Sequence, residues 1–212
     1  MNKTIYTHYD KQELNELPVS TFEGRIFVIT SATEATRAVN YLMTRPILGF
    51  DTETRPSFRH GEIHKVALLQ VSTPDTCFLF RLNHIGMPQC IVRLLEDKKI
   101  TKVGLSLRDD LTMLQRRHTF KPGTFVELQD EVSKIGIADA SLQKIYANLF
   151  GLKISKRQQL TNWEADILTE AQKRYAATDA WACIMIYDEI MRLNQTKAYT
   201  LIHHETDNTE TR

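Results

Sequence analysis

Apolar residues recur along this chain at two spacings, one typical of strands and one typical of helices. Residues 25–30 form a short, mostly apolar run, which predicts a strand. Ser31 and Glu34 form a capping box, and apolar residues then recur at helical spacing. Pro46 ends this helix, and the apolar run of residues 47–54 predicts a second, buried strand. The patterned part of the chain therefore opens as strand, helix, strand.

The remaining pattern is mostly helical. Further strands are predicted at 66–71, 77–80, 101–105 and 125–128, and further helices at 88–95, 109–117, 140–150 and 169–193. The strands at 66–71 and 77–80 flank a turn, which predicts an antiparallel hairpin. Residues 1–22 are polar and unpatterned, and we expect them to pack loosely. These elements predict an α/β fold, a mixed sheet covered by helices on both faces.

The strand of residues 47–54 carries two acidic residues near its end, Asp51 and Glu53. Because strand side chains alternate between faces, both carboxylates project from the same side of the sheet. Gly49 belongs to that face and lets another group approach the strand closely. Two adjacent carboxylates repel each other unless they share a proton or a cation lies between them. An ordinary strand end with solvated acids is the competing interpretation.

Composition and charge narrow the classes of protein. The chain has 212 residues, of which 42% are hydrophobic, and we expect one large domain. The formal net charge is +1, so any nucleic-acid binding must come from a local patch. Cys77, Cys90 and Cys183 are far apart, which favours thiols in a reducing compartment. Since there is no signal sequence or membrane-spanning run, we predict a soluble, cytoplasmic protein that binds no membrane.

The last predicted helix carries Tyr175 and Asp179 on one face, because residues four apart lie one turn apart. The surrounding residues 175–182 are rich in alanine, which lets a helix lie close to a sheet. An aspartate on such a tightly packed face is costly unless it meets a cation. A further acidic pair, Asp109 and Asp110, stands at a helix start directly after a strand. A helix cap or a partner of the helix dipole explains that pair equally well.

These three segments, in this order, resemble the motifs of the DEDD superfamily of 3′-5′ exonucleases. The superfamily has Asp-x-Glu on a strand, an Asp at a helix start and, in its tyrosine branch, Tyr-x-x-x-Asp on a late helix. More narrowly, the chain resembles exonuclease domains of the Werner syndrome type and, more distantly, ribonuclease D. The likeness covers residues 25–193. The similar segments are residues 49–51, 65–71, 103–104, 161–163 and 175–180.

The resemblance implies a ribonuclease H-like mixed sheet flanked by helices on both faces, in an exonuclease domain of residues 23–194. Residues 1–22 would then be an N-terminal extension and residues 195–212 a polar C-terminal tail. It also implies hydrolysis of phosphodiester bonds from the 3′ end of a nucleic acid, with release of nucleoside 5′-monophosphates.

By the same resemblance, four acids that bind metal and one tyrosine form the catalytic set. They are Asp51, Glu53, Asp110, Asp179 and Tyr175. Asp51 would bridge two divalent cations, Glu53 and Asp179 would complete one cation site, Asp110 would hold the second cation, and Tyr175 would orient the attacking water. Such ions lie roughly 3.5–4 Å apart, activate the water and stabilise the leaving 3′ oxygen. Mg²⁺ and Mn²⁺ prefer hard oxygen ligands, which carboxylates supply.

The second motif is ambiguous by one residue. In the superfamily, its aspartate follows a glycine by six residues and precedes an apolar residue by four. Gly104 and Leu114 therefore select Asp110. Asp109 is the alternative.

Six residues are candidates for substrate binding. They are Arg55, Arg59, Lys65, Lys156, Arg157 and Trp163. The first three lie in the loop after the Asp51 strand, with Phe58, His60 and His64. Lys156 and Arg157 lie in a second segment, before Trp163. These two segments could hold phosphates and stack a base. Ordinary solvated surface is the alternative for each basic residue, and a packing anchor is the alternative for Trp163. The tail pair His203–His204 is interpreted as tail, without a metal.

Two other functions fit parts of the pattern. A catalytically weak nucleic-acid-binding module of the same fold is disfavoured because all four acids and the tyrosine are present. A glycosidase that uses Asp51 and Glu53 as acid and base is disfavoured because the two side chains lie close together and Asp179 has no role. The sequence leaves open whether the substrate is DNA or RNA, whether duplex ends are accepted, and the oligomeric state.

Overall fold

The computed structural model describes residues 2–59 and 61–203. The strands are β1 (Lys3–Tyr6), β2 (Arg25–Ile29), β3 (Ile47–Glu53), β4 (Leu68–Ser72), β5 (Thr76–Arg81), β6 (Thr101–Gly104), β7 (Phe125–Glu127) and β8 (Tyr199–Ile202). The helices are α1 (Lys11–Glu16), α2 (Ala32–Leu42), α3 (Leu82–Ile85), α4 (Gln89–Glu96), α5 (Leu107–Gln115), α6 (Leu128–Ser133), α7 (Leu142–Phe150) and α8 (Glu170–Thr196).

Six strands form the central sheet, in the order β2-β5-β4-β3-β6-β7. Strand β4 is antiparallel to β3 and β5, and the other neighbours pair in parallel. Helices cover both faces. Helix α8 crosses one face, and α2, α4 and α5 pack on the other around buried side chains such as Leu48 and Phe50. The predicted mixed sheet, its hairpin and its helical layers are confirmed.

Gly49 sets the distance between β3 and α8. A Cβ atom added at this glycine would stand 1.9 Å from the carbonyl oxygen of Ala180, so only glycine permits this approach. The prediction of a close neighbour on that face is confirmed, and the neighbour is the alanine-rich helix. The contact places the middle of α8 directly over the acidic end of β3.

The predicted helix boundaries hold where the sequence has a cap. Ser31 and Thr169 each begin a helix with a complete capping box. Gly151 ends α7 in the left-handed conformation, with φ of 64°. Helix α5 begins two residues earlier than predicted, after Ser106 at φ 59°. The short helices α1, α3 and α6 were not predicted, because one or two turns show no clear periodicity.

The expectation that residues 1–22 pack loosely is wrong. Strand β1 pairs in parallel with β8, which lies inside the segment expected to be a polar tail. Ile5 and Phe22 are fully buried. The pairing joins segments almost 200 residues apart, so no local sequence pattern predicts it. His60 and residues 204–212, which include His204, lie outside the described residues, and the division into extension, domain and tail stays a prediction.

All three cysteines are free; Cys77 and Cys183 are buried, and Cys90 is half-buried. This agrees with the expected absence of a disulfide framework, while the cytoplasmic location stays a prediction. Among the described helices, none is long and apolar enough to cross a membrane.

Candidate active site

Strand β3 and helix α8 bring three carboxylates together. One oxygen of each of Asp51, Glu53 and Asp179 lies within 4.8 Å of the others. Asp51 and Glu53 share a face because they are two residues apart on the strand. Asp179 reaches them because α8 lies so close to the sheet at Gly49. The structure therefore joins the first and third acidic segments of the sequence into one cluster.

Burial raises the pKa values of all three acids, and for Asp51 and Glu53 the negative charges of neighbouring acids raise them further. Glu53 is 8% exposed, and burial, followed by the charges of Asp179 and Asp110, raises its pKa to about 9. Burial raises the pKa of Asp179 to about 7, against the opposing effects of Tyr175 and Lys156. Burial, followed by the negative charges of neighbouring acids, holds the pKa of Asp51 well above its usual range. The cluster therefore holds more negative charge than the protein around it compensates.

Asp110 lies beside this cluster, in the first turn of α5. Its Oδ1 accepts a hydrogen bond from Thr52 Oγ1 at 2.5 Å. Burial raises its pKa to about 6, although the Thr52 hydrogen bond lowers it. Its charge also raises the pKa values of Asp51 and Glu53. Asp109 is exposed to solvent, so of the two neighbours Asp110 is the one that faces the cluster.

Tyr175 stands one helical turn before Asp179 on α8. Its side chain lowers the pKa of Asp179, against the larger effect of burial. Burial and the negative charge of Asp179 raise the pKa of Tyr175, so the phenol stays neutral. The Trp163 ring lies 5.9 Å from the Tyr175 ring and is fully buried. Because no face of the indole is accessible, Trp163 acts as a packing anchor and cannot stack a base.

A cleft of about 280 Å³ opens over the acids. Besides the acidic residues and Tyr175, its walls come from loops, from the start of α7 and from a further residue of α8. They include Leu105, Ser141, Gln143, Ser155, Lys156, Gln159 and Cys183. Of these, the sequence predicted only Lys156. Cys183 lies four residues after Asp179, so helical spacing alone could have found it, whereas the loop residues gave no local signal.

The other basic candidates lie outside the lining of the described cleft. Arg55 Nη1 is 3.5 Å from Glu164 Oε2, and His64 Nδ1 is 3.2 Å from Glu164 Oε1, which ties the loop after β3 to the segment around Trp163. Arg59 and Lys65 are exposed. None of Arg55, Arg59 and Lys65 lines the described cleft. Arg157 lines a neighbouring cavity.

Clustered acids beside a tyrosine, in an open cleft over a mixed sheet, form a set of hard oxygen ligands that could hold a divalent cation. The family model described as 3′-5′ exonuclease matches residues 26–194. The chain therefore belongs to the 3′-5′ exonuclease family of the DEDD superfamily, as the resemblance predicted.

Individual relatives agree with this family. The chain is 30% identical over 204 residues to the bifunctional 3′-5′ exonuclease/ATP-dependent helicase WRN of Mus musculus, an alignment that covers 92% of this chain and 15% of that protein. The structure of the Nibbler EXO domain of Aedes aegypti matches with a TM-score of 0.77 and 20% identity, over 85% of this chain and 95% of that one. RNase D of Escherichia coli matches with a TM-score of 0.73 and 21% identity, over 81% of this chain and 45% of that one. The two structures show that the fold is shared.

Proposed function

We propose that this chain is a metal-dependent 3′-5′ exonuclease of the tyrosine branch, which removes nucleoside 5′-monophosphates one at a time from the 3′ end of a nucleic acid. The carboxylate cluster of Asp51, Glu53 and Asp179 carries this proposal. Membership of the exonuclease family supports it. The position of Asp110 beside Thr52 supports a fourth ligand.

The donor set of the cluster fits hard divalent cations. All the candidate ligand atoms are carboxylate oxygens. Within residues 2–59 and 61–203, none of the four acids forms an ion pair with a basic side chain. Asp51, Glu53 and Asp179 would hold one Mg²⁺ or Mn²⁺ ion, and Asp51 and Asp110 a second. When bound, such ions lower the pKa of an attacking water and stabilise the leaving 3′ oxygen.

The residues of the chain itself supply position and polarity. Tyr175 keeps its proton, because its pKa is raised, and its hydroxyl is therefore available to orient a water rather than to act as a base. Lys156 lies in the cleft wall, where an ammonium group can attract a phosphate. The cleft volume of about 280 Å³ supports a pocket for one terminal nucleotide.

Oligonucleotides with a 5′ label test the proposal. In Mn²⁺ or Mg²⁺, we expect a ladder of fragments shortened from the 3′ end and free nucleoside 5′-monophosphates, and no products in EDTA. Matched DNA and RNA oligomers identify the sugar that the site accepts. A circular single strand is the control, because an exonuclease leaves it intact. Tight binding of both oligomers without any hydrolysis would instead indicate a binding module with this fold.

A further inference from the structure

Residues 153–157 form a basic ridge that is bordered by three cavities. Lys153 stands on one side of Ile154 and Ser155 there, and Lys156 and Arg157 stand on the other. One of the cavities is the catalytic cleft. A second shares Tyr175 with that cleft, and a third lies between the ridge and α1. The ridge is therefore the wall that the catalytic cleft shares with its neighbours.

The second cavity, which we call the upstream cavity, has a volume of about 280 Å³. It lies between the N-terminal segment, the ridge and the first turns of α8. Its lining includes Ser20, Thr21, Ser155, Arg157, Arg174 and Tyr175. Because Ile154, Ser155 and Tyr175 line both this cavity and the catalytic cleft, ligands in the two spaces would be direct neighbours.

Main-chain hydrogen bonds fix the N-terminal wall of this cavity. The Ser20 N–H donates to the Lys153 carbonyl at 2.8 Å, and the Lys153 N–H donates to the Pro18 carbonyl at 3.0 Å. The Phe22 N–H donates to Thr178 Oγ1 of α8 at 3.0 Å. The wall is thus attached to the ridge and to the catalytic helix, although residues 18–21 lie outside the stretch that the family model matches.

Two guanidinium groups and an apolar floor give the cavity its chemistry. Arg157 is exposed and forms no ion pair with any described residue. Arg174 Nη1 donates to a main-chain carbonyl at 2.7 Å and lies 3.8 Å from the exposed Glu23, which leaves further donors. Ile154 and the flank of Tyr175 supply apolar surface. Guanidinium groups bind phosphate with paired hydrogen bonds, and a flat apolar surface suits a sugar or base.

We propose that the upstream cavity is a subsite for the substrate nucleotide that precedes the scissile phosphate. Its phosphate binds Arg157 and Arg174, and its sugar and base lie against Ile154 and Tyr175. The N-terminal segment thereby forms part of the substrate surface. This inference rests on the proposed exonuclease function, since it assigns the next nucleotide of the same strand.

Two variants change the charge of the cavity without touching the acids. Arg157→Ala removes an exposed cation. Ala171→Glu places a carboxylate in the cavity lining at the start of α8, where the helix dipole favours an acid, so folding is preserved. Ala171→Gln controls for the size of the new side chain, and Arg116→Ala controls for loss of an exposed arginine elsewhere.

The first measurement compares kcat/KM in Mn²⁺ for a 12-nucleotide single strand and for the p-nitrophenyl ester of a nucleoside 5′-monophosphate, which has no upstream nucleotide. We expect Arg157→Ala and Ala171→Glu to lower the ratio of kcat/KM for the 12-mer to kcat/KM for the ester about tenfold, mainly by raising KM of the 12-mer. Both controls should keep this ratio within about twofold of the wild-type value. An equal effect on both substrates overturns the subsite. If the wild type cleaves neither substrate, the proposed function is overturned instead.

The second measurement needs no hydrolysis. Fluorescence anisotropy in EDTA at low salt reports the Kd of the labelled 12-mer, and we expect Arg157→Ala to weaken binding about tenfold and to reduce the salt dependence by about one phosphate contact. Absence of binding by the wild type, or equal binding by wild type and Arg157→Ala, overturns the subsite whatever the activity.

Discussion

Two aspartates of this protein are buried to the same extent but face different surroundings. Asp139 is 7% exposed; its Oδ2 accepts the Tyr9 N–H at 2.7 Å, and its Oδ1 lies 3.3 Å from Lys144 Nζ and 3.6 Å from His8 Nδ1. Asp179 is also 7% exposed, yet its charged neighbours in the cluster are two more acids.

The difference shows that a buried acid marks a functional site only when the protein leaves its charge uncompensated. Asp139 ties the N-terminal segment to the domain, because its hydrogen bond joins residues 130 positions apart. Asp179 has no such structural partner beyond the Tyr175 hydroxyl and the distant charge of Lys156. Its burial opposes folding unless a cation binds. The predictions below separate these two roles.

The largest expected effect is on catalysis. Asp51→Asn should reduce kcat in Mg²⁺ at least about a thousandfold, or about 4 kcal/mol in activation free energy, because a ligand shared by both cations is lost. Glu53→Gln and Asp179→Asn should behave likewise, with circular dichroism unchanged. Asp139→Asn is the control and should keep near-normal turnover. Normal turnover in any of the first three variants would refute the two-metal assignment.

The second effect distinguishes neighbours on α5. Asp110→Ala should lower kcat about a hundredfold or more, because this side chain faces the cluster, and Asp109→Ala should lower it less than about threefold. Steady-state hydrolysis of one oligonucleotide measures both. The reverse ranking would move the second metal ligand by one residue and leave the mechanism intact.

The third effect concerns stability at the other aspartate. Asp139→Ala should lower the free energy of unfolding by about 1–3 kcal/mol, because the buried Tyr9 N–H loses its acceptor. Each kcal/mol corresponds to a fall of about 2–4 °C in Tm for a chain of this size. Thermal denaturation in EDTA and in Mn²⁺ measures the rise in Tm that Mn²⁺ causes, and this rise should be the same in Asp139→Ala as in wild type. A reduced gain would mean that Asp139 contributes to metal binding.

The fourth effect has the opposite sign. Metal-free Asp179→Asn should melt at or above metal-free wild type, because the substitution removes repulsion from the cluster. Mn²⁺ at a hundredfold excess over Kd should stabilise wild type by about 2.7 kcal/mol and the variant by less. Differential scanning calorimetry tests both statements together. Equal stabilisation by Mn²⁺ would show that Asp179 is no ligand.

The smallest effect is the pH dependence of metal-free stability. The folded pKa values of Glu53 and Asp179, about 9 and about 7, exceed the ordinary values of these acids, so the folded state binds more protons between about pH 4 and pH 9. Stability in EDTA should therefore fall as pH rises through that range. The fall in Tm from pH 6 to pH 8.5 should be shallower in Asp179→Asn than in wild type. Equal slopes would contradict the uncompensated cluster.

The sequence by itself determined the local geometry of the site. Period-two alternation placed Asp51 and Glu53 on one face of β3, and helical spacing placed Tyr175 and Asp179 on one face of α8. Gly49 predicted that another part of the protein would lie close to the strand. The capped helices and the hairpin were predictable for the same reason, since each depends on residues a few positions apart.

Only the tertiary structure decided which of these local features meet. It brought Asp179 to Asp51 across the sheet and turned Asp110, rather than Asp109, toward them. It also paired β1 with β8, placed Tyr9 against Asp139 and built the upstream cavity from the N-terminal segment. Asp110 meets Thr52 across 58 positions, and the other contacts join residues more than a hundred positions apart. Their free energy comes from burial and hydrogen bonds in the assembled domain. No periodicity or short motif in the chain encodes such contacts, so the sequence identified Asp179 as a candidate metal ligand but gave no sign that Asp139 ties the N-terminal segment to the domain.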